Sequence, residues 1–428
     1  MARNMKDSGI EWIGEIPEGW EITKIKHIVS SVTDIDHFMP DSAEFGIPYL
    51  MIGDLKDLSS SIDWDSAKKI SIEDYKKLSI KSRSQIGDII FARYASIGTT
   101  CYIDTDRDFL VSYACLTIHP SDLIIGKFLS YYLKSSSFAE DVLRRTNSNT
   151  QGNVGKDSLV NATIVLPSII EQTQIVNFLD AKCSDINAML SKTRSSIEEY
   201  KKLKQAVITQ AVTKGVRGER EMKDSGVEWI GKVPSKWNCI KIKYLFEIRK
   251  RIAGKEGYTV LSITQTGIKP KNISSNEGQL ADSYSNYQLL HFGEFAMNHM
   301  DLLTGWVDIS NYNGVTSPDY RVFSLKDTIT NHPRYFLYLM QMCYFNRIFY
   351  SMAQGVSNLG RWRLQSDKFL NCIFPVPSIE EQKEISDYLD TTCSEIDKLI
   401  AKKEQLVKEL ESYKKSLIYE VVTGKREV

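Results

Sequence analysis

The feature that most constrains the fold of this chain is an internal duplication. The stretch DSGIEWIGEIPEGW (7–20) returns as DSGVEWIGKVPSKW (224–237), with nine of the fourteen residues identical. A second pair of copies follows, because LPSIIEQTQIVNFLDAKCSDINAML (166–190) matches VPSIEEQKEISDYLDTTCSEIDKLI (376–400). Tryptophan, proline and glycine in a common register are too rare a set to recur by chance. The chain therefore has two halves, each with a lead motif, a variable body and a tail.

The two tails predict two long helices. PSIIEQ (167–172) and PSIEEQ (377–382) each contain a Ser-x-x-Glu capping box directly after a proline, which is typical of a helix start. Apolar residues then recur at steps of three and four, as in a coiled coil. Gly215 and Gly424 follow this pattern and predict the helix ends. At 1.5 Å per residue each helix would be about 65 Å long.

A single apolar stripe on such a helix would lie in water unless a partner covered it. The simplest partner is the duplicate helix. Because the chain returns through a body between the two copies, we expect the two helices to pair antiparallel. The alternative is that each helix packs only on its own body.

The two bodies, residues 29–163 and 246–371, have almost no sequence in common. Short β-type runs such as GDIIFARY (87–94) lie between turn residues, and helical stretches such as GKFLSYYLK (126–134) follow them. We predict an α+β fold class: two globular α/β bodies separated by an antiparallel pair of long helices, in a pseudo-twofold internal repeat. The predicted divisions are 1–163 for the first domain, which comprises a lead motif and its body, 164–217 for the first helix segment, 218–372 for the second such domain and 373–428 for the second helix segment.

Composition narrows the class of protein. A length of 428 residues with 42% hydrophobic residues is enough for about two to four domains with cores of their own. The seven cysteines include no CxxC pair, which argues against a zinc site or a disulfide framework and favours a cytoplasmic setting. No apolar run approaches the roughly 20 residues of a membrane span.

Charge leaves nucleic-acid binding open. The chain holds 54 Lys and Arg against 54 Asp and Glu, whereas phosphate contacts usually leave a basic excess. The first body has 14 basic and 18 acidic residues, and the second has 13 and 10. Any DNA-binding face must therefore be a local cluster.

Catalytic motifs are weak or incomplete. GVEWIGKV (226–233) matches part of a P-loop but lacks the Ser or Thr that would bind magnesium. TSPDY (316–320) is faintly similar to the catalytic tetrapeptide of amino-methyltransferases, but no Gly-x-Gly turn accompanies it. The six histidines form no HExxH motif. We predict a non-catalytic binding protein without metal ligands of its own.

Two alternatives stay open. Asp41, Asp54 and Lys56 imitate the paired carboxylates and lysine of a self-contained magnesium-dependent nuclease, although the second body has no equivalent. A coiled-coil scaffold that does not bind DNA would also explain the paired helices.

Polar and aromatic clusters in the bodies are the candidates for recognition. FARYASIGTT (91–100), RRTNSNTQGNV (144–154), NHMDLLTGW (298–306) and SNLGRWRLQ (357–365) mix Asn, Gln, Arg and Ser with aromatics. Asn and Gln can pair with adenine and Arg with guanine, while Ser and Thr can contact phosphate. The alternative is that these are ordinary solvated loops.

The duplicated lead motifs, the PSIIEQ and PSIEEQ helix starts and the tails ending in AVTKG and VVTGK together resemble the specificity subunit of Type I restriction-modification systems. GDIIFARYASIG (87–98) and GVTSPDYRVF (314–323) are similar to recurrent segments of that family's target recognition domains. The resemblance covers essentially the whole chain.

The resemblance implies that each body is a target recognition domain for one half of a split, asymmetric double-stranded DNA sequence, with the helices as the spacer. Two modification subunits would bring S-adenosylmethionine and the adenine methyltransferase site. Restriction subunits would bring ATP-driven translocation and the magnesium-dependent nuclease. This chain would bind no cofactor itself. If the helices are the spacer, removing one heptad from both should change the spacing of the half-sites.

The departure from the family is the acidic first body, where the transfer of functional residues is weakest. The residues we predict to bind DNA are Arg93, Tyr94, Asn149, Gln151 and Asn153 in the first body and Asn298, Tyr320, Asn358, Arg361 and Arg363 in the second.

Overall fold

A computed structural model describes residues 3–95, 97–145, 154–273, 281–353 and 362–428. The chain forms two compact units, Met1–Arg194 with Gln405–Val428, and Ser195–Glu404. Each unit therefore contains one body, the first part of the helix that follows it and the last part of the other long helix. No helix in these ranges is long and apolar enough to cross a membrane.

The elements of the first half, in chain order, are β1 (Met5–Asp7), β2 (Glu15–Pro17), β3 (Glu21–Lys24), β4 (Val29–Thr33), β5 (Ile47–Leu50), β6 (Lys68–Ile70), α1 (Ile72–Leu78), β7 (Ile89–Ala92), β8 (Thr100–Tyr102), β9 (Leu110–Val111), β10 (Cys115–Pro120), α2 (Gly126–Leu133), α3 (Ser136–Arg145), α4 (Lys156–Val160), β11 (Thr163–Leu166) and α5 (Ile169–Lys214).

The elements of the second half are β12 (Met222–Asp224), β13 (Lys232–Pro234), β14 (Asn238–Lys241), α6 (Ile242–Leu245), β15 (Phe246–Arg249), β16 (Leu261–Thr264), β17 (Gly267–Pro270), β18 (Gln288–Leu290), β19 (Phe295–Met297), β20 (Val307–Ile309), β21 (Gly314–Thr316), β22 (Arg321–Leu325), α7 (Pro333–Phe345), α8 (Ile348–Ser351), α9 (Ser366–Asn371), β23 (Ile373–Val376) and α10 (Ile379–Val422).

Each unit is built on an antiparallel four-stranded sheet. Its strand order is β4-β10-β7-β8 in the first unit and β15-β22-β19-β20 in the second, and in both sheets the last strand in sequence lies beside the first. The first unit adds a three-stranded sheet, β6-β5-β9, in which β5 and β9 run parallel. The second adds the hairpin of β16 and β17 and the pair of β18 and β21 instead. The predicted mixed α/β bodies are confirmed.

Backbone hydrogen bonds show which residues of the two units are equivalent. The Val154 amide donates to the Arg93 carbonyl at 3.0 Å, and the Leu364 amide donates to the His299 carbonyl at 2.9 Å. Arg93 lies directly after β7, and His299 lies one residue beyond Asn298, which directly follows β19. The ladder partners support this one-residue offset, because Phe91 faces Thr100 on β8, as Met297 faces Val307 on β20. Arg93 and His299 therefore occupy equivalent positions.

The glutamate of each capping box also fixes the lead motif. In the first unit Glu171 accepts a hydrogen bond from the Trp20 indole at 3.1 Å and from the Ser168 amide at 3.2 Å, and it pairs with Arg3. Trp20 is fully buried, so its indole N–H requires an acceptor. The lead motif and the tail are therefore joined by one side chain.

The second unit repeats this arrangement. Glu381 accepts from the Trp237 indole at 3.0 Å and pairs with Arg220. The neighbouring Gln382 is buried, accepts from the His332 amide at 2.7 Å and donates to the Pro377 carbonyl at 2.9 Å. The Glu-Gln pair thus ties the helix start to two other parts of the unit.

The predicted antiparallel pairing is found within each unit. In the first, Asn187 contacts Lys414 at 2.9 Å and Arg194 contacts Glu411 at 2.5 Å, so residue numbers rise along α5 as they fall along α10. In the second, Lys204 contacts Asp397 at 2.7 Å. Apolar residues of both helices join the core of each unit, which accounts for the apolar stripe.

Glycine ends both helices as predicted. Gly215 and Gly424 have φ angles of 77° and 72°, in the left-handed region that favours glycine. Gly424 also lies against the lead motif of the first unit, where an added Cβ would come within 2.4 Å of Pro17. The helix end and the lead motif therefore require a residue without a side chain at this point.

Candidate nucleic-acid interface

In each unit, several of the sequence-predicted residues lie at one end of the four-stranded sheet. β7 ends where β10 begins, and Ala92 pairs with Cys115. β19 ends where β22 begins, and Met297 pairs with Arg321. We call this end the loop edge. In the first unit it comprises Asp34, Arg93, Tyr94, Tyr113 and Val154, and in the second it comprises Lys250, Asn298, His299, Tyr320, Arg321, Arg363 and Leu364.

At the first loop edge Arg93 and Tyr94 lie together. The Arg93 guanidinium pairs with Asp34 at 3.1 Å, and its carbon atom is 5.8 Å from the centre of the Tyr94 ring. Tyr94 is 47% exposed, whereas the Arg93 side chain is mostly covered. Tyr94 is therefore an open aromatic surface for stacking. Arg93 would have to break its ion pair with Asp34 to contact a base or phosphate.

An aromatic pair beside them was missed by the sequence reasoning. The His37 and Tyr113 rings pack against each other at a tilt of 38°, with ring centroids 3.9 Å apart. Tyr113 lies next to Ala114, whose carbonyl accepts from the Arg93 amide at 2.9 Å. The two rings meet only because the sheet brings the segment after β4 to the segment before β10, and no local pattern predicts this.

At the second loop edge Asn298 stabilises its own loop. Its side-chain oxygen accepts from the amides of Met300 and Asp301, both at 3.2 Å, and its carbonyl accepts from the Tyr344 hydroxyl at 2.9 Å. The amide nitrogen of the side chain carries the remaining hydrogen-bonding capacity.

Tyr320 closes a turn. Its amide donates to the Ser317 carbonyl at 3.0 Å, and its own carbonyl accepts from the Gln288 side chain at 2.6 Å. The half-buried ring packs on the apolar cluster that contains Leu261 and Val322, and burial raises its pKa. The ring thus contributes packing as well as a hydroxyl.

Arg363 is exposed between two anchored neighbours. Leu364 is fully buried, and the Trp362 ring lies 4.7 Å from the Tyr350 ring. Beneath Arg363 lie two residues that the sequence reasoning missed, His299 and Arg321, both buried. Alignment of Gly87 with Gly293 would have placed His299 at the position equivalent to Arg93. No comparable signal in the sequence predicts that Arg321 is buried.

The charge of the two loop edges differs. Directly after the first strand of the four-stranded sheet, the first unit has Asp34 and the second has Lys250. The second edge also has Arg321 and Arg363. A basic edge attracts phosphate, whereas the acidic residue at the first edge neutralises its only arginine in this group.

The remaining predicted residues are Asn149, Gln151, Asn153, Asn358 and Arg361, and they lie outside the described residues. Two described residues that follow them in the chain lie at the loop edges, because Val154 hydrogen-bonds to Arg93 and Leu364 to His299.

One carboxylate of the nuclease alternative, Asp54, has a structural role. Asp54 accepts a hydrogen bond from the Met51 amide at 2.8 Å and closes its own turn. Over the described ranges, no group of three His, Cys, Asp or Glu side chains is placed to hold a metal ion.

Solved structures with the same fold exist. A chain from a study of the structural basis of complex assembly and conformational transition of the type I R-M system is 15% identical, with a TM-score of 0.70 over 96% of this chain and 99% of that one. The HsdS subunit from Thermoanaerobacter tengcongensis is 14% identical, with a TM-score of 0.50 over 96% and 98%.

Two relatives come from Methanocaldococcus jannaschii. The MjaVIII specificity subunit of a type I restriction enzyme is 23% identical over 427 residues, which cover 96% of this chain and 93% of that protein. The MjaX specificity subunit is 28% identical over 239 residues, so the match spans about half of each protein, 54% of this chain and 53% of the relative.

The family model of the Type I restriction modification DNA specificity domain matches residues 17–199 and again 234–409. The chain belongs to this family. Each match contains one four-stranded sheet with its loop edge and the first part of one long helix. The specificity-subunit assignment made from the repeated motifs is confirmed, and the comparisons support neither the nuclease nor the scaffold alternative.

Proposed function

We propose that each unit of this specificity subunit contacts one half of a split, asymmetric double-stranded DNA target through its loop edge. The lead motif and the helix start of each unit form a duplicated frame. The observation that carries the proposal is that this frame holds two loop edges of different chemistry. The Trp-Glu-Arg contacts of the lead motif and helix start are the same in both units. The edges differ in sequence, so each can recognise different bases.

The ten residues selected from the sequence form the core of this proposal. Among the described ones, Tyr94 and Arg363 are the most exposed and offer a stacking surface and a bidentate donor. Arg93 and Asn298 already have partners within their loops, so we assign them to shaping the edge as well as contacting DNA. Asn149, Gln151, Asn153, Asn358 and Arg361 belong to the same proposal on sequence grounds alone.

The partners follow from the family. Two modification subunits would dock on the duplicated frame and supply S-adenosylmethionine and the adenine methyltransferase site, and restriction subunits would supply ATP-driven translocation and the magnesium-dependent nuclease. This chain would hold no cofactor, do no chemistry and act in the cytoplasm. We keep the divisions 1–163, 164–217, 218–372 and 373–428 as the proposed target recognition domains and spacer segments.

The test is methylation mapping in a host that carries this chain with its modification subunit. We expect methyladenine in a two-part motif with a fixed gap. Tyr94→Ala should relax or weaken one half of the motif and Arg363→Ala the other, each by about 1–3 kcal/mol in discrimination at a base pair.

The charge-matched control is Lys326→Ala, which removes an exposed positive charge just beyond the end of β22 that lies away from the loop edge and outside the lead motif. This variant should leave both halves of the motif unchanged. A motif in which the two edge variants alter the same half, or neither half, would remove the loop edges from the proposal.

A further inference from the structure

Arg321 is an unusual residue for the interior of the second unit. Its side chain is only 3% exposed, and its guanidinium donates to the Leu364 carbonyl at 2.8 Å and to the Ser366 hydroxyl at 3.3 Å. The guanidinium also lies 4.8 Å above the Phe369 ring. Within the described ranges no carboxylate comes within ion-pair distance of it. A buried charge without a counter-charge costs several kcal/mol, so an apolar residue would be the stable choice here.

The two hydrogen bonds that Arg321 donates to oxygen atoms both go to one short segment, residues 362–366. The same segment is held from a second side, because the Leu364 amide donates to the His299 carbonyl at 2.9 Å. A third contact is the tilted stacking of Trp362 on Tyr350. Since Leu364 is buried and Arg363 is exposed, this extended segment presents Arg363 outward on a fixed backbone.

His299 adds no charge beneath this segment. It is 7% exposed, and its Nδ1 atom has no hydrogen-bond partner among the residues that the structure describes. Burial, together with the positive charges of Arg321 and Arg363, lowers the pKa of His299 to about 3. Burial also lowers the pKa of Arg321 to about 10, so Arg321 stays charged at neutral pH. Among the described residues of this segment and those beneath it, the positive charge therefore comes from one buried and one exposed arginine.

The first unit has no such anchor. The ladder position equivalent to Arg321 is Leu116, because Leu116 pairs with Phe91 as Arg321 pairs with Met297. Leu116 is fully buried in the apolar core. The four-stranded sheet thus does not require an arginine at this position, and the role of Arg321 is particular to the second unit.

We propose that Arg321 is a positioning residue for the second half of the DNA target: it fixes the backbone of residues 362–366 and thereby the geometry with which Arg363 meets a base. This inference rests on the proposed function of the loop edges. A bidentate arginine–base contact depends on placement of the whole side chain, so a loose backbone should lose discrimination before it loses affinity.

The first test is methylation of a target library with single-base changes in each half, using the full chain with its modification subunit. Arg321→Met removes the buried charge and fills most of its space with a flexible apolar side chain, so the variant should fold. We expect discrimination at a base pair of the second half to fall by about tenfold or more, with the first half unchanged. Arg321→Lys, which keeps a donor for the Leu364 carbonyl, should recover part of the discrimination. Leu116→Met is the matched control and should change neither half.

The second test measures the backbone directly, by amide hydrogen exchange at Leu364 in the same complex without DNA. We expect faster exchange in Arg321→Met than in the parent chain. Unchanged exchange would overturn the positioning role. Faster exchange with unaltered discrimination in both halves would instead overturn the assignment of this loop edge to DNA, and with it the specificity role of Arg321.

Discussion

Replacing Glu381 by alanine tests whether one carboxylate joins the lead motif to the helix start. The side chain is 7% exposed and accepts from the Trp237 indole at 3.0 Å while pairing with Arg220. A buried donor left without an acceptor costs about 1–3 kcal/mol, and hydrogen bonds to charged groups contribute about 1.5–3 kcal/mol. Because Arg220 is partly exposed and recovers some solvation, we expect Glu381→Ala to lower the free energy of unfolding of the second unit by about 3 kcal/mol.

The first unit provides the matched comparison. Glu171 makes the same contact with Trp20, but its side chain is 29% exposed, so water can replace much of what alanine removes. We expect Glu171→Ala to cost about 1 kcal/mol. Glu381→Gln, which keeps an acceptor for Trp237 and loses the ion pair, should fall between the two alanine variants.

The assay is hydrogen exchange with peptide resolution, which follows each unit separately, combined with thermal unfolding. We expect Glu381→Ala to accelerate exchange at the start of α10 more than Glu171→Ala does at the start of α5. Equal losses of unfolding free energy in the two alanine variants, or a larger loss for Glu171→Ala, would mean that burial does not decide the strength of this contact.

Two further predictions concern the first unit. Burial alone would raise the pKa of Glu171, but hydrogen bonds led by that from Trp20 outweigh it and lower the pKa. This carboxylate therefore stabilises the fold fully above its unfolded pKa of about 4.3. The stabilisation is lost as the pH falls through the lower pKa of the folded state. Glu171→Gln should accordingly show a weaker dependence of stability on pH below about 4. Urea unfolding at several pH values measures this dependence, and a free energy of unfolding that changes with pH as it does in the parent chain would contradict the prediction. Gly424→Ala should destabilise by about 2–4 kcal/mol, because it places a side chain in the left-handed region and against Pro17. Gly218→Ala has open space around its Cβ and should be near neutral, so similar melting temperatures for the two variants would contradict this account.

The features that could be predicted from the sequence are those encoded locally. The Ser-x-x-Glu box predicts a helix start within six residues, the apolar periodicity predicts a paired helix, and glycine predicts its end, and all three are found. The second partner of the same glutamate is not local. Trp20 and Glu171 lie 151 residues apart in the chain, and nothing in either segment alone indicates that they meet.

The loop edges show a different limit. Sequence reasoning selects residues by type and local context, and it proposes Tyr94 and Arg363 while passing over His299 and Arg321, whose burial opposes the usual preference of charged and polar side chains for water. It also treats Asn298 only as a base-contacting residue, whereas the turn requires its side-chain oxygen. These roles depend on which strands are neighbours in the sheet, and several topologies are compatible with the same run of short strands.

The separation of frame and edge explains how one duplicated sequence can diverge in its bodies. The contacts that hold the lead motif on the helix start involve Trp20, Glu171, Trp237 and Glu381, none of which belongs to a loop edge. Exposed side chains such as Tyr94 and Arg363 can therefore change with a stability cost of about 0.5 kcal/mol or less. Arg321 is the exception, because its buried charge links the second edge to the interior, and substitutions there should alter recognition and backbone protection together.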